Sequence, residues 1–199
     1  QALNIYPRFW EARLTLAKLF DRLALTNQAI QEYQTVLTQQ PLQAETLYNL
    51  ASQYVQTEDL DLAQPLLTQL TEHHPHHTDG WYLLGRIAER RNQPAKALQA
   101  YEQIIQANPD HSEAHYNLGF IYQQQGDQQK AIEHFQRVSQ LKPQDAEAFF
   151  NLGVLLTGNQ QLAEAEQAYR KGIVLLPNSQ EGHFNVGAFY EFHKKDLFQ

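Results

Sequence analysis

The sequence predicts an all-α solenoid of stacked helical hairpins, and three observations carry that reading. Six of the eight prolines (Pro7, Pro41, Pro75, Pro109, Pro143 and Pro177) are spaced by 34 residues, a fixed period that marks a repeat architecture. With each proline set at position 32, alanine occupies position 20 of every full unit: Ala29, Ala63, Ala97, Ala131 and Ala165. Apolar residues recur at intervals of three and four in each half of the unit, the pattern of one buried helix face. Full units run 10–43, 44–77, 78–111, 112–145 and 146–179, with the end of a preceding unit at 1–9 and a partial one at 180–199. Residues 1–199 then form a single array.

Within the unit the first helix, A, carries its apolar face at positions 4, 7, 8 and 11. Position 7 reads Leu16, Leu50, Leu84, Leu118, Leu152 and Val186, and position 8 is small: Ala17, Ala51, Gly85, Gly119, Gly153 and Gly187. The second helix, B, repeats the pattern at positions 20, 24, 27 and 28, with a large residue at 24: Tyr33, Leu67, Tyr101, Phe135 and Tyr169. Small residues at 8 and 20 let A and B approach closely, and the large residue at 24 is expected to fill the space between one unit and the next. Proline at 32 cannot continue a helix interior, so it ends B and turns the chain into the next hairpin. One hairpin cannot bury both faces, so stability comes from stacking neighbours.

Some places bend the rule. Pro65 sits at position 22, inside helix B of the 44–77 unit, and is expected to kink that helix or shift its start. Pro94, at position 17, is well placed for a first helical residue. Lys194-Lys195-Asp196-Leu197 puts leucine one residue late and Gln199 falls in the alanine column, which predicts an insertion or a changed turn. Phe184, Phe189, Phe192 and Phe198 are many rings for a terminal segment. They predict that the natural protein continues past residue 199, or that this end meets another chain.

These columns resemble the tetratricopeptide repeat family over essentially the whole chain. The match is close in His115-Tyr116-Asn117-Leu118-Gly119 through Tyr122, Ala131, Phe135 and Pro143. The resemblance implies a right-handed superhelix whose stacked A helices line a concave, ligand-holding surface with positions 2, 5, 6, 9, 12 and 13. Position 5 then gives a ladder of Leu14, Tyr48, Tyr82, Tyr116, Phe150 and Phe184, and position 6 reads Thr15, Asn49, Leu83, Asn117, Asn151 and Asn185. Asparagine carries an acceptor and two donors, so an array of it can pair with the backbone of an extended peptide whatever its sequence. A similar ladder belongs to the superhelical arm of O-linked N-acetylglucosamine transferases. Both residue types are also common choices for the repeat in general, and a packing role stays open.

Position 9 changes from Lys18, Ser52 and Arg86 to Phe120, Val154 and Ala188, so the surface is expected to turn from polar to apolar along the chain. The candidate partner-binding residues are therefore Tyr48, Asn49, Tyr82, Arg86, Tyr116, Asn117, Phe120, Phe150, Asn151, Phe184 and Asn185. Position 2 is acidic throughout (Glu11, Glu45, Asp79, Glu113, Glu147, Glu181), which suits the first turn of a helix and also offers a negative stripe to a basic ligand. Repeat domains that clamp the carboxylate terminus of chaperones need basic residues that positions 2 and 6 here never supply. Chaperone tails are not the expected ligand.

Composition excludes much else. Zero cysteine removes thiolate zinc sites, iron–sulfur clusters and cysteine nucleophiles. A net charge of −7 with both signs spread evenly gives no basic stripe for nucleic acid. The longest apolar runs, such as Ile173-Val174-Leu175-Leu176, fall far short of the ~20 residues of a membrane span. The chain opens on Gln1 and not Met, so a leader or anchor ahead of it stays open, and cytoplasm and periplasm fit equally. His73-His74-Pro75-His76-His77 is the one metal-like cluster, but neighbouring rings in a tight turn point apart, and an exposed loop without metal is expected. His73, at position 30, is expected to pack against the end of helix B, and His115 and His183, at position 4, to be core-edge rings like Trp81 and Phe149. No phosphate loop, nucleophile elbow or His-Glu-x-x-His pair occurs, and Glu164 and Glu166 read as a solvated face. The expected function is a non-catalytic scaffold, without cofactor, that binds an extended peptide or a helix of another protein. The alternative is the substrate-selecting arm of a larger enzyme such as a glycosyltransferase, and self-association through the exposed terminal repeats is a third reading.

Overall fold

Every hairpin repeats the same two lengths, which is the first thing the structure, a computed structural model describing residues 9–193, makes visible. Helix A occupies positions 1–13 in α1 (Trp10–Arg22), α3 (Ala44–Gln56), α5 (Thr78–Arg90), α7 (Ser112–Gln124) and α9 (Ala146–Gly158). Helix B occupies positions 17–30 in α2 (Thr26–Gln39), α4 (Leu60–His73), α6 (Pro94–Ala107), α8 (Gln128–Leu141) and α10 (Leu162–Leu175), and α11 (Gln180–His193) opens the next unit. No strand occurs among the described residues. The helices form two compact units, Gln1–Ala107 and Asn108–Gln199, taken separately below. The expected insertion at 194–197, Phe198 and the segment 1–8 lie outside the described residues.

Local chemistry fixes the boundaries. The turn from A to B places position 15 in the left-handed region in all five units: Ala24 (φ 55°), Glu58 (63°), Asn92 (52°), Gly126 (79°) and Gln160 (62°). The next amide then reaches back five residues, as in Leu25 N–H to the Phe20 carbonyl at 2.8 Å and Gln161 N–H to Leu156 at 2.9 Å, satisfying the last carbonyls of helix A. Only glycine adopts this φ without steric cost. Ala24→Gly and Gln160→Gly are each expected to raise stability by about 0.5–1 kcal/mol, read as a higher thermal midpoint; a fall would contradict the turn geometry.

From B back to A, position 34 caps the incoming helix. Gln43, His77, His111, Asp145 and Ser179 each accept a hydrogen bond from the backbone amide three residues on, for example at 3.1 Å for His77 and Gly80 and 2.9 Å for Ser179 and Gly182. Just inside the helix, a position-4 ring donates to the carbonyl of the repeat proline: Trp81 Nε1 to Pro75 and His115 Nε2 to Pro109, both at 2.9 Å, and His183 Nε2 to Pro177 at 2.7 Å. The proline stops one helix while its carbonyl aligns the next.

The small and large columns meet, and within the unit as well as between units. The position-24 ring lies on the position-8 glycine of its own unit: a Cβ on Gly85 would stand 2.6 Å from the Tyr101 ring, on Gly119 2.7 Å from Phe135, and on Gly153 2.7 Å from Tyr169. The large residue thus fills the inside of its hairpin and, as Tyr169 against Phe189 shows, also meets the next unit. Tyr33, Leu67, Tyr101 and Phe135 are fully buried as a result. Pro65 leaves the start of α4 at Leu60, in register with the other B helices, so the expected shift does not occur. Phe184 and Phe192 are 75% exposed, whereas Phe189 is buried against Tyr169 at 5.2 Å.

Candidate partner-binding surface

In the first compact unit, α3 and α5 carry Tyr48, Asn49, Tyr82 and Arg86. Both tyrosines are half-buried. Tyr48 lies 5.3 Å from the capping ring of His77, and burial, then Asp79, pushes its hydroxyl above the usual range. Tyr82 leans on buried Tyr101 at 6.0 Å with the exposed Arg86 guanidinium 6.0 Å above its ring, and Arg86 also faces Glu89 at 3.7 Å. Asn49 stands beside the Tyr33 hydroxyl, which burial and then Asp21 push up to about 12. Leu83, which breaks the asparagine column, packs against the core instead.

In the second unit Tyr116, Phe120 and Phe135 form edge-to-face pairs at 4.9, 5.5 and 5.2 Å, a geometry that suits ring quadrupoles. Asn151 donates to the Tyr116 hydroxyl at 3.4 Å, so the position-6 amide of one hairpin reaches the position-5 ring of the hairpin before it. Asn117, half-buried, has an Nδ2 with no hydrogen-bond partner. Phe150 departs from the expected ladder: it is 6% exposed, and a Cβ on Gly172 or Gly182 would come within 2.6 or 2.3 Å of its ring. It belongs to the core between α9, α10 and α11. Phe184 is exposed and Asn185 half-buried on α11.

The acidic column is partly spent on lysines. Glu45 pairs with Lys18 at 2.6 Å, and Glu113 accepts from Lys142 at 2.5 Å, a bond that holds its carboxyl down at about 2. Exposed pairs of this kind are worth little in stability, but they shield two carboxylates and the Lys18 ammonium from a ligand.

The histidine tract disperses, three of its rings bonding to separate backbone groups while His76 is exposed. His77 caps α5, His74 Nε2 lies 3.2 Å from the Leu42 carbonyl, and exposed His73 bonds back to Gln69 of its own helix at 3.0 Å instead of packing against the helix end. Among the described residues no three His, Cys, Asp or Glu gather to hold a metal. No described helix is long and apolar enough to cross a membrane. One association escaped sequence reasoning: position 4 of helix A meets position 23 of helix B. Arg13 pairs with Glu32 at 2.8 Å, and His115 Nδ1 lies 2.9 Å from His134 Nδ1. Reading columns 4 and 23 together, charge opposite charge and histidine opposite histidine, is the signal that finds it.

Residues 29–183 match the family model of the cytochrome c-type biogenesis protein H TPR domain. Among solved structures, MamA from Desulfovibrio magneticus is 19% identical with a TM-score of 0.74, over 87% of this chain and 98% of that one. YrrB, described as a TPR protein with an unusual peptide-binding site, is 22% identical with a TM-score of 0.74, over 85% and 88%. A tetratricopeptide repeat protein from Parabacteroides merdae is 18% identical with a TM-score of 0.77, over 94% and 75%. Among curated proteins none matches in sequence. Family model and shared fold agree with the 34-residue register, and the chain belongs to the tetratricopeptide repeat family, as a TPR domain of the cytochrome c-type biogenesis protein H type.

Proposed function

We propose that the chain is a non-catalytic scaffold that holds extended segments of a partner protein on positions 5 and 6 of the A helices, in each compact unit taken by itself. One observation carries the reading: aromatic rings at the same register, Tyr48, Tyr82 and Tyr116, are all half-buried and still reach solvent, and Phe184 stands 75% exposed. A half-buried tyrosine offers a rigid apolar face at little entropic cost and a hydroxyl at its rim, the properties that enrich it in binding surfaces. Asn151, with one donor given to Tyr116, keeps its carbonyl for a peptide amide, while the Nδ2 of half-buried Asn117 is itself buried and without a hydrogen-bond partner. Such a surface grips backbone and apolar side chains, and asks little of the partner's charge. The peptide-binding site in the description of YrrB supports a related use of this fold.

The test compares capture of partners by the wild type with capture by Tyr48→Ala/Tyr82→Ala and by Asn117→Ala/Asn151→Ala, after matched thermal unfolding. Partners held by the wild type and reduced at least tenfold with either variant are the expected result. Equal recovery by all three proteins, with thermal midpoints unchanged, would overturn the proposal.

A further inference from the structure

Position 11 of helix A reads Phe20, Tyr54, Ala88, Tyr122, Leu156 and Tyr190, so one unit has alanine where five others have a ring or leucine. Elsewhere this ring lies against a neighbouring B helix: Tyr122 stacks on His134 of its own unit's α8 at 5.4 Å, while Tyr54 and Tyr190 reach the preceding one. Gln34 of α2 donates to the Tyr54 hydroxyl at 2.8 Å, and the Tyr190 hydroxyl donates to Glu166 of α10 at 2.8 Å. In the 78–111 unit, Ala88 brings no ring, and the facing position of α4 that matches Gln34 holds the short Thr68. Position 23 on α6 is also small, Ala100. A hollow of about 270 Å³ results between α4, α5 and α6.

Its wall is mainly apolar, made by Trp81, Leu84, Ile87, Ala88 and Ala100 with Gln64, Thr71 and Gln93 beside them, and its mouth lies between exposed Thr68, Glu72, Lys96 and Gln99. The indole of Trp81 is fixed as a wall by its bond to the Pro75 carbonyl. An apolar cavity of about 150 Å³ is enough to admit benzene, so this one has room for a phenyl or phenol ring with its first methylene. One acid and one base at the mouth leave no net charge to select an ion, while amide and hydroxyl groups there match those of a peptide backbone.

We propose that this hollow is a second binding site, which takes the aromatic side chain of a partner polypeptide in the place that the repeat elsewhere fills with its own ring. It shares no residue with the surface of positions 5 and 6 and does not depend on it. The occupant is a phenylalanine or tyrosine in a peptide, since four of the five other units place a ring at this position (Phe20, Tyr54, Tyr122 and Tyr190) and the mouth offers partners for backbone amides.

The test is a titration of the ¹⁵N-labelled full chain with Gly-Gly-Tyr-Gly-Gly, Gly-Gly-Phe-Gly-Gly, Gly-Gly-Leu-Gly-Gly and p-cresol, followed at the Trp81 indole N–H and the Thr68, Thr71 and Ala88 amides. Saturable shifts confined to α4–α6 are expected with both aromatic peptides, at least fivefold tighter than with the leucine peptide or with p-cresol. Ala88→Tyr restores the missing ring and Ala100→Leu fills the hollow from the other side; each is expected to weaken binding at least tenfold. No saturable shift with any probe, or unchanged titrations in whichever filled variant folds, would overturn the site. Equal binding of the leucine peptide would overturn the aromatic assignment, and equal binding of p-cresol the polypeptide one.

Discussion

Replacing Phe135 by alanine is expected to remove about 3–5 kcal/mol of stability, a large part of the roughly 5–15 kcal/mol that holds an ordinary domain. The ring is fully buried and lies flush against the backbone of α7, close enough that a Cβ on Gly119 would stand 2.7 Å away. Helix backbone cannot collapse into the void as a flexible side chain would, which places the loss toward the upper end. Tyr116 and Phe120 rest on the same ring at 5.5 and 5.2 Å, so the substitution also loosens the candidate binding surface. Because stacked repeats open by neighbouring pairs, the loss should show first as faster hydrogen exchange in α7 and α8, and then as an earlier urea midpoint. Phe184→Ala is the control: the ring is 75% exposed and the change is expected to stay within about 0.5 kcal/mol. Similar losses for the two variants would refute the assignment of Phe135 to the core and of Phe184 to the surface.

The register was legible because proline, alanine and glycine act locally. A proline ends a helix wherever it falls, and a 34-residue spacing of prolines therefore dictates helix lengths that hold across all five full units. Periodicity tells which face of a helix is buried but not what covers it, and the errors follow from that. The position-24 ring was expected between units; it does reach the next unit, as Tyr169 does at Phe189, but it also fills its own hairpin on the position-8 glycine, since both placements bury the same face. Phe150 carries the same column label as Tyr116, yet Gly172 and Gly182 open a recess that draws it into the core. Gly172 was the visible sign, standing at position 27 where the other units have Val36, Leu70, Ile104 and Val138. The capping histidines were hidden for another reason: His77 and His111 do the work that Asp145 and Ser179 do in later units, and histidine is not an obvious helix cap. The hollow at Ala88 was legible in principle, as one small residue in a column of rings.

The histidine pair predicts a stability that falls as the medium is acidified from pH 6.5 toward pH 4. The Pro109 carbonyl can only accept, so His115 donates from Nε2 and, when neutral, accepts at Nδ1 the proton that His134 presents 2.9 Å away. The His134 ring stacks on Tyr122 at 5.4 Å, and Lys130 sits 4.8 Å from the same tyrosine ring. Burial, then the neighbouring His115 and, more weakly, Lys130 bring His134 down from 6.5 to about 4, against a smaller opposing pull from Glu133. The unfolded chain takes up this proton near pH 6.5 and the folded chain only near pH 4, so folding stability is complete above the first value and declines between the two. A shift of this size corresponds to about 3 kcal/mol, and allowing for the partly solvated ring leaves about 2 kcal/mol. Glu113 acts in a different window: its lowered carboxyl contributes above about pH 4.5 and is lost toward about pH 2. The neighbouring unit supplies the control, because the same positions 4 and 23 there hold Phe149 and Ala168. His115→Phe/His134→Ala is therefore expected to fold, and the difference in unfolding free energy between it and the wild type should move by about 2 kcal/mol in the variant's favour between pH 7 and pH 4.5, measured by urea titration. A difference that stays constant with pH would place the acid sensitivity elsewhere, whereas His134→Ala alone, which leaves His115 Nδ1 without its donor, should be less stable than the double variant at pH 7.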